Sequence, residues 1–517
     1  MLRRCAGVAS AALTGALAVA LVLVAVAAIL LTGGRSLPVP GPVVARIEAE
    51  ANAALAGAAA VRLGGARLWI EAGWRPGLRL VDAELLGPDG APAAVLPDLR
   101  ATFDLAALRA GDLIPRTLRV DGAAVTALRD VDGSFVFLFA GGGGGLPRIA
   151  SLADFLKAVD GIFALPALAG VETVDMTALS VTLDDVRAGR TWRFDGGGLH
   201  LENRADAVAF DLSLALPTRP DDPRPDNPAA APARAALSFV SRRGSLQAEV
   251  RAEIAGLAST DIAAQDPGLG WLAALDAPID GQFSGSVDAT GRLGAVHADL
   301  ALGPGALRTL PGTPPVRFRA ASLGLDFDPE SERITLSELR VDSPQMRFSG
   351  TGKIYPEQPG VMGAGALPSA FLVQLRLNDV AVDPEGLFEA PLRFEAGIAD
   401  LRLGVAPLRV DIGQVQLLDG DRRLSLSGQA RTGEGGWHVA LDAGLNRMEA
   451  GRLLRLWPTT LAARTRAWAA GNLIAGEIAD ASAALRLVPG QAPVIAANFA
   501  FSGVSVRALR TLPPVTG

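Results

Sequence analysis

The sequence predicts a mainly β protein with a few helices, in which an N-terminal transmembrane helix precedes an elongated, curved antiparallel β-sheet that forms an apolar groove. Three observations predict this fold. A long uncharged segment stands at the N-terminus, and apolar and polar residues then alternate with a period of two over most of the 517 residues. Few helical segments are available to cover the apolar face of the resulting strands.

The first region, residues 1–40, predicts a cytoplasmic tip and a signal anchor. No charged residue lies between Arg4 and Arg35, and the apolar span at 6–32 exceeds the roughly 20 residues that cross a hydrocarbon core. Arg3 and Arg4 place the N-terminus in the cytoplasm and the bulk of the chain in the periplasm. A cleaved signal peptide is the alternative, although its apolar region spans only about 7–15 residues. The composition, poor in Lys and rich in Arg and Ala, is typical of a GC-rich bacterium, so the anchor is predicted in a bacterial inner membrane.

The second region, residues 41–145, predicts a helix followed by strands. Apolar residues recur at helical spacing within 44–59, and the period changes to two at 78–81 and 99–105. Five consecutive glycines, Gly141–Gly145, predict a flexible linker. The remaining predicted elements are a short helix at 105–110 and strands at 117–121 and 135–139.

The third region, residues 146–445, predicts the extended β-groove. An amphipathic helix is predicted at 149–164, an exposed loop rich in Pro and Asp at 217–233, and a helical or irregular stretch at 260–275. Asp419-Gly420-Asp421 is typical of a hairpin turn. Alternation predicts strands at 179–183, 192–194, 208–216, 246–254, 283–289, 296–302, 323–327, 334–336, 346–350, 371–377, 392–398, 401–405, 408–412, 415–417 and 424–426.

The fourth region, residues 446–517, predicts a helical interlude at 449–471, interrupted by Pro458, and then resumed strands at 483–487 and 498–506. A new strand would be expected to begin at the last residues, so we expect a short version or an N-terminal fragment of a longer protein.

Strict alternation gives each strand one apolar face and one polar face. Two packed sheets or a barrel would bury the apolar face, whereas an open curved sheet would expose more apolar surface than a soluble monomer tolerates and would need a ligand. A long apolar groove anchored in a membrane suits the acyl chains of phospholipids. The side chains predicted to share this face are Leu336, Phe348, Val373, Leu375, Leu377, Phe394, Val410, Ile412, Leu424 and Leu426.

Arg464, Arg466 and Trp468 in the second interlude helix are candidates for contact with phospholipid headgroups. Arginine pairs with phosphate, and tryptophan favours membrane interfaces. The alternative is a solvated helix face that carries one packed Trp.

Charge and composition exclude several classes of function. Lys+Arg 48 against Asp+Glu 54 gives a net charge of −6, which argues against a nucleic-acid partner. The single cysteine, Cys5, excludes an internal disulfide, and His200, His297 and His438 lack paired metal-ligand spacing. We therefore predict no metal and no cofactor. The 50% hydrophobic content and 59 glycines have two explanations, a GC-rich genome or an extended apolar surface.

Catalytic motifs are weak, and the sequence predicts a protein that is not an enzyme. Gly352-Lys353 lacks the flanking residues of a phosphate loop, and Ser284 lacks those of a nucleophile elbow. Asp184/Asp185 and Asp221/Asp222 could form a carboxylate pair for glycoside hydrolysis, but they stand in a turn and a Pro-rich loop, where solvated turn residues are expected.

Two regions of the sequence, one near each end, resemble a known family. The anchor, the strand-helix-strand run 99–121 and the segment LRDVDGSF at 128–135 resemble the N-terminal region of the AsmA-like proteins of Gram-negative bacteria. The segment LLRLWPTTLAARTRAWAAGNLIAGEI at 453–478 and the closing LPPVTG resemble the middle of the YhdP-like branch. The resemblance implies bacterial bridge-like lipid transfer, in which a periplasmic β-groove carries phospholipid from the inner to the outer membrane. It also implies a further C-terminal half, which this sequence lacks.

The leading hypothesis is therefore a membrane-anchored lipid-handling protein whose partners are phospholipids and the inner membrane. The rival hypothesis is an envelope scaffold or assembly factor that pairs an exposed strand edge with an outer-membrane or envelope protein. Lipid that co-purifies with the chain would distinguish the two hypotheses.

Overall fold

The computed structural model describes most of the chain beyond residue 35. The described ranges are 36–54, 60–71, 75–86, 92–104, 106–107, 114–139, 148–164, 168–186, 189–216, 233–265, 267–308, 315–358, 368–383, 388–405, 408–433, 435–460, 462–507 and 513–516. The predicted anchor at 6–32, the glycines 141–145, the loop 217–232 and most of the predicted helix 105–110 lie outside them. Within the described ranges, no helix has the length and apolar character needed to cross a membrane.

The described chain is mainly β, as predicted, and divides into two compact units. Residues 1–250 with 287–292 form unit 1, and residues 251–286 with 293–517 form unit 2. The predicted boundaries at 145 and 445 stay predictions.

Unit 1 contains eleven strands and two helices among its described residues. Its strands are β1 (Leu37–Pro38), β2 (Ala60–Glu71), β3 (Arg75–Leu86), β4 (Pro92–Phe103), β5 (Pro115–Asp121), β6 (Ala124–Arg129), β7 (Phe135–Phe139), β8 (Thr173–Asp185), β9 (Arg190–Asn203), β10 (Ala207–Ala215) and β11 (Arg234–Arg242). Its helices are α1 (Gly41–Ala54) and α2 (Leu152–Ala164).

Unit 1 is not antiparallel throughout, which corrects the predicted fold. Strands β2 to β5 pair antiparallel in order, as do β8 to β11, but β8 runs parallel to both β5 and β6. The connection from β7 to β8 contains α2. The chain thus passes from β6 through β7 and α2 to β8, which runs parallel to β6, whereas a tight hairpin joins only antiparallel strands.

Helix α2 covers an apolar cluster of unit 1, which we call the unit 1 core. Leu156, Val159 and Phe163 recur at helical spacing and are 2%, 7% and 5% exposed. Phe239 stacks on Phe210 with ring centroids 4.9 Å apart. The buried members of this cluster are Leu156, Val159, Phe163, Val171, Val208, Phe239, Ala248 and Val287. Here a helix supplies the second layer that a one-sided sheet needs.

Unit 2 contains most of the remaining strands. They are β12 (Ala248–Ala258), which begins in unit 1, β13 (Leu275–Asp276), β14 (Pro278–Val287), β15 (Leu293–Leu302), β16 (Gly305–Leu307), β17 (Val316–Phe318), β18 (Ala320–Asp328), β19 (Arg333–Asp342), β20 (Met346–Pro356), β21 (Ala370–Val382), β22 (Leu392–Val405), β23 (Leu408–Asp419), β24 (Arg422–Gly433), β25 (Gly436–Glu449), β26 (Leu473–Leu487), β27 (Val494–Val506) and β28 (Val515–Thr516).

The main sheet of unit 2 is an antiparallel meander. Strand β15 pairs with β18, and every strand from β18 to β28 then pairs antiparallel with the next one along the chain. Strands β13, β16 and β17 form a small separate sheet. The predicted hairpin is confirmed, because β23 ends at Asp419, β24 begins at Arg422, and Gly420 takes the positive φ of 62° that its turn needs.

Helices lie in both stretches of unit 2 where they were predicted. The stretch 260–275 contains α3 (Ser259–Ala263) and a 3₁₀ helix (Pro267–Ala274), and the interlude contains α4 (Ala450–Leu456) and α5 (Ala463–Asn472). Their main contacts are with one another, with β13, and with β25 and β26. The buried cluster of this sheet, which includes Leu377 and Leu417, consists of strand residues alone, whereas α2 supplies Leu156, Val159 and Phe163 to the unit 1 core.

Candidate functional site

The register of the unit 2 meander aligns apolar residues into continuous rows that run across the strands. Side chains of directly paired residues lie on the same face of an antiparallel sheet. Starting from Leu375 and following each pair to the next strand gives an unbroken apolar series, which we call the Leu375 row. Its members from β15 to β27 are Ala298, Leu325, Leu336, Gly352, Leu375, Ala399, Val415, Leu426, Ala443, Ala483 and Ala497.

Two further rows flank the Leu375 row on the same face, two residues away along each regular strand. The Val373 row consists of Val296, Phe327, Ile334, Ile354, Val373, Leu401, Ile412, Gly428, Leu441, Leu485 and Ile495. The Leu377 row consists of Leu300, Leu323, Leu339, Gly350, Leu377, Gly397, Leu417, Leu424, Leu445 and Ala481. We call the surface that these three rows form the apolar face.

The apolar face is half-open to solvent. In the Val373 row no member is buried: Ile495 is 48% exposed, and every other member is half-buried. Burial is deeper in the Leu377 row, where Leu377 is 9% and Leu417 5% exposed. By contrast, the eight buried members of the unit 1 core, which α2 covers, are each 7% exposed or less. The apolar face therefore lacks a continuous second layer of protein among the described residues.

Bulges keep the apolar residues on one face where the sheet twists. Asp379 in β21 has a φ of 51°, and both Asn378 and Asp379 are exposed. Leu377 and Val380 on either side are buried at 9% and 6%, although two residues and not one separate them. A bulge inserts one extra residue and so restores the face of the following residues.

Glycines within the rows make room for leucines of the next strand. A Cβ added at Gly397 would lie 2.7 Å from Cδ2 of Leu417 and 2.8 Å from the carbonyl oxygen of Gln416. Real Cβ atoms do not approach other atoms so closely, so the Leu417 side chain covers the Gly397 backbone. The row stays continuous because the neighbouring leucine fills the space.

The opposite face of these strands is mainly polar. Gln414 donates from Nε2 to Oδ2 of Asp400 at 2.6 Å. Arg402 donates to both carboxylate oxygens of Glu357 at 2.7 Å, and this bidentate pair lowers the pKa of Glu357 below its ordinary value. Leu372, Ile398 and Leu418 are exceptions, exposed at 45%, 42% and 38%. The contrast between the faces matches the alternation in the sequence.

The structure brings the ten predicted groove residues together on the apolar face or beside it. The Leu375 row contains Leu336, Leu375 and Leu426, the Leu377 row contains Leu377 and Leu424, and the Val373 row contains Val373 and Ile412. Val410 lies in a shorter neighbouring row, paired with Leu403 and Ala430, and Phe348 and Phe394 pack against the buried cluster that includes Leu377. Contact of these residues with lipid stays a prediction.

The three predicted headgroup residues lie on one helix, α5, but differ in their surroundings. Arg466 stabilises the helical interlude, and its side chain is 16% exposed. Its guanidinium donates to the carboxylate of Glu389 at 2.8 Å and to the carbonyl oxygen of Leu454 at 3.1 Å. Arg464 is exposed on α5, and Trp468 is 52% exposed. Arg466 is thus committed to contacts within the fold, while the roles of Arg464 and Trp468 stay predictions.

Sequence reasoning missed a cavity of about 620 Å³ between α4 and the end of the apolar face. Leu424 and Leu445 of the Leu377 row line it from the sheet, and Arg452 and Arg455 line it from α4. Arg422, at the start of β24, lines it as well. The spacing of Arg452 and Arg455 places them on one helix face, which was the available sequence signal.

The LRDVDGSF segment forms a turn held by one arginine. Arg148 pairs with Asp130 at 2.7 Å and with Asp132 at 2.8 Å, and it donates from Nε to the Ser134 hydroxyl at 2.6 Å. Hydrogen bonds from Ser134, assisted by Arg148, lower the pKa of Asp132 to about 2. The segment that carried the family resemblance thus has a structural role in unit 1.

The acidic pairs considered for catalysis separate in the structure. Asp185 is 2% exposed and pairs with Arg129 at 3.2 Å, while Asp184 accepts a hydrogen bond from the Thr191 hydroxyl at 2.7 Å. Asp221 and Asp222 lie outside the described residues. Within the described part of the chain, no group of His, Cys, Asp and Glu side chains could hold a metal ion.

Two histidines pair with carboxylates on strand surfaces. His200 contacts Asp175 at 2.6 Å and Glu202 at 3.3 Å, and His297 contacts Asp326 at 2.7 Å and Asp299 at 3.0 Å. The hydrogen bonds to Asp175 and Asp326 are the largest cause of a raised pKa at each histidine. Both imidazoles therefore hold a proton more strongly in the folded chain than in the unfolded chain.

We expect the melting temperature to fall modestly as the pH rises from about 6 to about 8. A raised folded-state pKa contributes stability below the unfolded value, and this contribution is lost as the pH passes the folded value. Both side chains are more than 40% exposed, so the effect is small. Thermal melts of the His200→Gln/His297→Gln variant should show a smaller pH dependence than wild type. An unchanged dependence would contradict the assignment.

Comparison with protein-family models, with curated proteins and with solved structures finds no match to this chain. The features of the chain that bear on its function are therefore the apolar face, the cavity beside it and the charges around them.

Proposed function

We propose that the chain binds the acyl chains of phospholipids along the apolar face and contributes to their transport between membranes. The half-open Val373 row carries this proposal, because it is apolar across every strand of the meander from β15 to β27. Water contact over such a surface is unfavourable, at about 25 cal/mol per Å² of apolar area. A ligand that covers the face removes that cost.

The size of the apolar face supports a lipid rather than a small metabolite. With strands about 4.8 Å apart, the rows from β15 to β27 extend roughly 48 Å, and three rows about 6.8 Å apart are roughly 14 Å wide. The face thus covers roughly 670 Å² of sheet, and its half-buried rows keep part of this apolar surface in contact with solvent. One acyl chain covers about 15 Å of depth, half of a hydrocarbon core of roughly 30 Å, so the rows offer space for several chains.

The lipid content of the full chain, purified in a mild detergent, tests the proposal. We expect mass spectrometry of the extract to show diacyl phospholipids at a fixed ratio to protein, retained after exchange into a second detergent. A matched preparation of an unrelated single-pass membrane protein controls for carry-over. A lipid content equal to that control would contradict the proposed function.

The location that we propose is a single-pass anchor in a bacterial inner membrane, with the units in the periplasm. The uncharged span at 6–32 and Arg3/Arg4 support it. A reporter enzyme that is active only in the periplasm should be active when fused after Gly145. Activity of a cytoplasmic reporter at the same site would contradict the topology, and a mature N-terminus near Leu37 would contradict the anchor.

Strand β27 favours a second candidate function, strand pairing with an envelope protein. Val494, Phe499 and Phe501 are 63%, 53% and 66% exposed. Beyond its pairing with β26, its backbone pairs only at Ser505 and Val506, within the described residues. An exposed strand edge of this kind can form backbone hydrogen bonds with a strand of another protein. A photocrosslinker placed at Phe499 tests this function. Capture of an outer-membrane protein there, by a chain that purifies without lipid, would favour strand pairing over lipid transport.

A further inference from the structure

The cavity between α4 and the sheet combines an apolar wall with positive charge. Leu424 and Leu445 continue the Leu377 row into it, so the apolar face reaches the cavity without interruption. The cavity is lined by three arginines, Arg422, Arg452 and Arg455, and by two acidic residues, Glu389 and Asp419. Arg393 lines it as well, but it alternates with Phe394 of the apolar side, so its side chain lies on the opposite face of β22. The lining thus has a positive balance beside an apolar surface.

The acidic residues of the cavity are already engaged. Asp419 forms an ion pair with Arg422, and Glu389 pairs with Arg466 at 2.8 Å. Arg452 pairs with Glu449 at 3.3 Å, and both side chains of that pair are largely exposed. Arg455 forms no ion pair within the described part of the chain. An anion that enters the cavity therefore meets arginine side chains whose charge is not fully balanced.

We infer that this cavity binds the phosphate group of a diacyl phospholipid whose acyl chains lie on the adjoining apolar face. The inference rests on the proposed function and adds the place and chemistry of headgroup recognition. Arginine forms paired hydrogen bonds with phosphate oxygens, which a neutral headgroup cannot accept with the same strength. The roughly 620 Å³ cavity is large enough for a phosphate with a small alcohol substituent.

Binding of two lipids with the same acyl chains tests the inference. The full chain in detergent is titrated with fluorescent phosphatidylglycerol and with the matched diacylglycerol, which lacks phosphate. The variant Arg452→Gln/Arg455→Gln removes two guanidinium groups from the cavity. The control Arg376→Gln removes one exposed guanidinium from the polar face of β21, outside the cavity lining.

We expect wild type to bind phosphatidylglycerol about tenfold more tightly than diacylglycerol, a difference of about 1.4 kcal/mol. The double variant should lose most of this preference and bind diacylglycerol as wild type does, while Arg376→Gln should keep the preference. An unchanged preference in the double variant, or equal loss in Arg376→Gln, would overturn the cavity site and leave the proposed function standing.

Two other results of the same titrations also test the headgroup site. If wild type binds neither lipid, the proposed function fails and the headgroup site fails with it. Millimolar inorganic phosphate should compete only weakly, because the acyl chains supply most of the affinity. Strong competition by phosphate at these concentrations would show a site for free phosphate and would overturn the assignment to a lipid.

Discussion

Leu375→Glu is expected to leave the chain folded and to stop lipid contact along the apolar face. Leu375 is half-buried in the middle of its row, directly paired with Gly352 and Ala399. A carboxylate on a half-open face stays hydrated while the face is empty. Placing an acyl chain over it removes that water, at a cost of several kcal/mol for an unpaired charge. Lipid binding should therefore weaken by at least tenfold while the fold persists.

Photocrosslinking measures this loss directly. A photoreactive residue at Val373 or Leu377 of the wild-type chain should form lipid adducts, and the adducts should be lost in the Leu375→Glu background. Arg376→Glu is the matched control, because Arg376 is exposed on the opposite face of the same strand. Adducts that persist in Leu375→Glu, or an equal loss in Arg376→Glu, would count against acyl chains on the apolar face.

Alternation in the sequence predicted the strands and the common face of their apolar residues. In β21, for example, Phe371, Val373, Leu375 and Leu377 alternate with exposed Leu372, Gln374 and Arg376. The hairpin at Asp419–Arg422 was also predictable, since its turn residues follow and precede strong alternation. These features depend on patterns of neighbouring residues, which can be recognised in a single sequence.

Alternation is weaker where small residues reduce the contrast between the two faces of a strand. Strand β25 was missed because Ala440 and Gly444 stand at its polar positions, and β11 was missed because Ala235, Ala236 and Leu237 follow one another without alternation. The parallel pairing of β8 with β5 and β6 was missed for another reason. It depends on where α2 packs, a long-range contact that has no signature in local periodicity.

The rows and the cavity depend on register and could not be derived from the sequence. A shift of one residue between two strands would move every side chain to the other face, so continuity of the Leu375 row requires the observed pairing and its bulges. Arg466 was predicted to contact headgroups because arginine pairs with phosphate. In the fold, its guanidinium instead donates to the carboxylate of Glu389 and to the carbonyl oxygen of Leu454. Residue type alone does not distinguish an arginine that makes contacts within the fold from one that binds a ligand.

Leu156→Glu is expected to unfold unit 1, although it is the same substitution that unit 2 should tolerate at residue 375. Leu156 is 2% exposed in the unit 1 core, on the face of α2 that packs against the sheet. Glu and Leu have similar helix propensities, so the change acts through burial and not through the helix backbone. An unpaired carboxylate in a closed core costs several kcal/mol, a large share of the roughly 5–15 kcal/mol that stabilises a domain.

Limited proteolysis and thermal melts of the two variants make the comparison quantitative. We expect Leu156→Glu to expose unit 1 to protease and to lose its melting transition, while Leu375→Glu keeps the wild-type pattern. Lys157→Glu controls for added negative charge on α2, because Lys157 is exposed. Leu156→Ala should destabilise unit 1 by about 2–5 kcal/mol without introducing a charge. If Leu375→Glu unfolds its unit as completely as Leu156→Glu, the apolar face is covered by protein, and the proposed lipid contact has no surface on which to form.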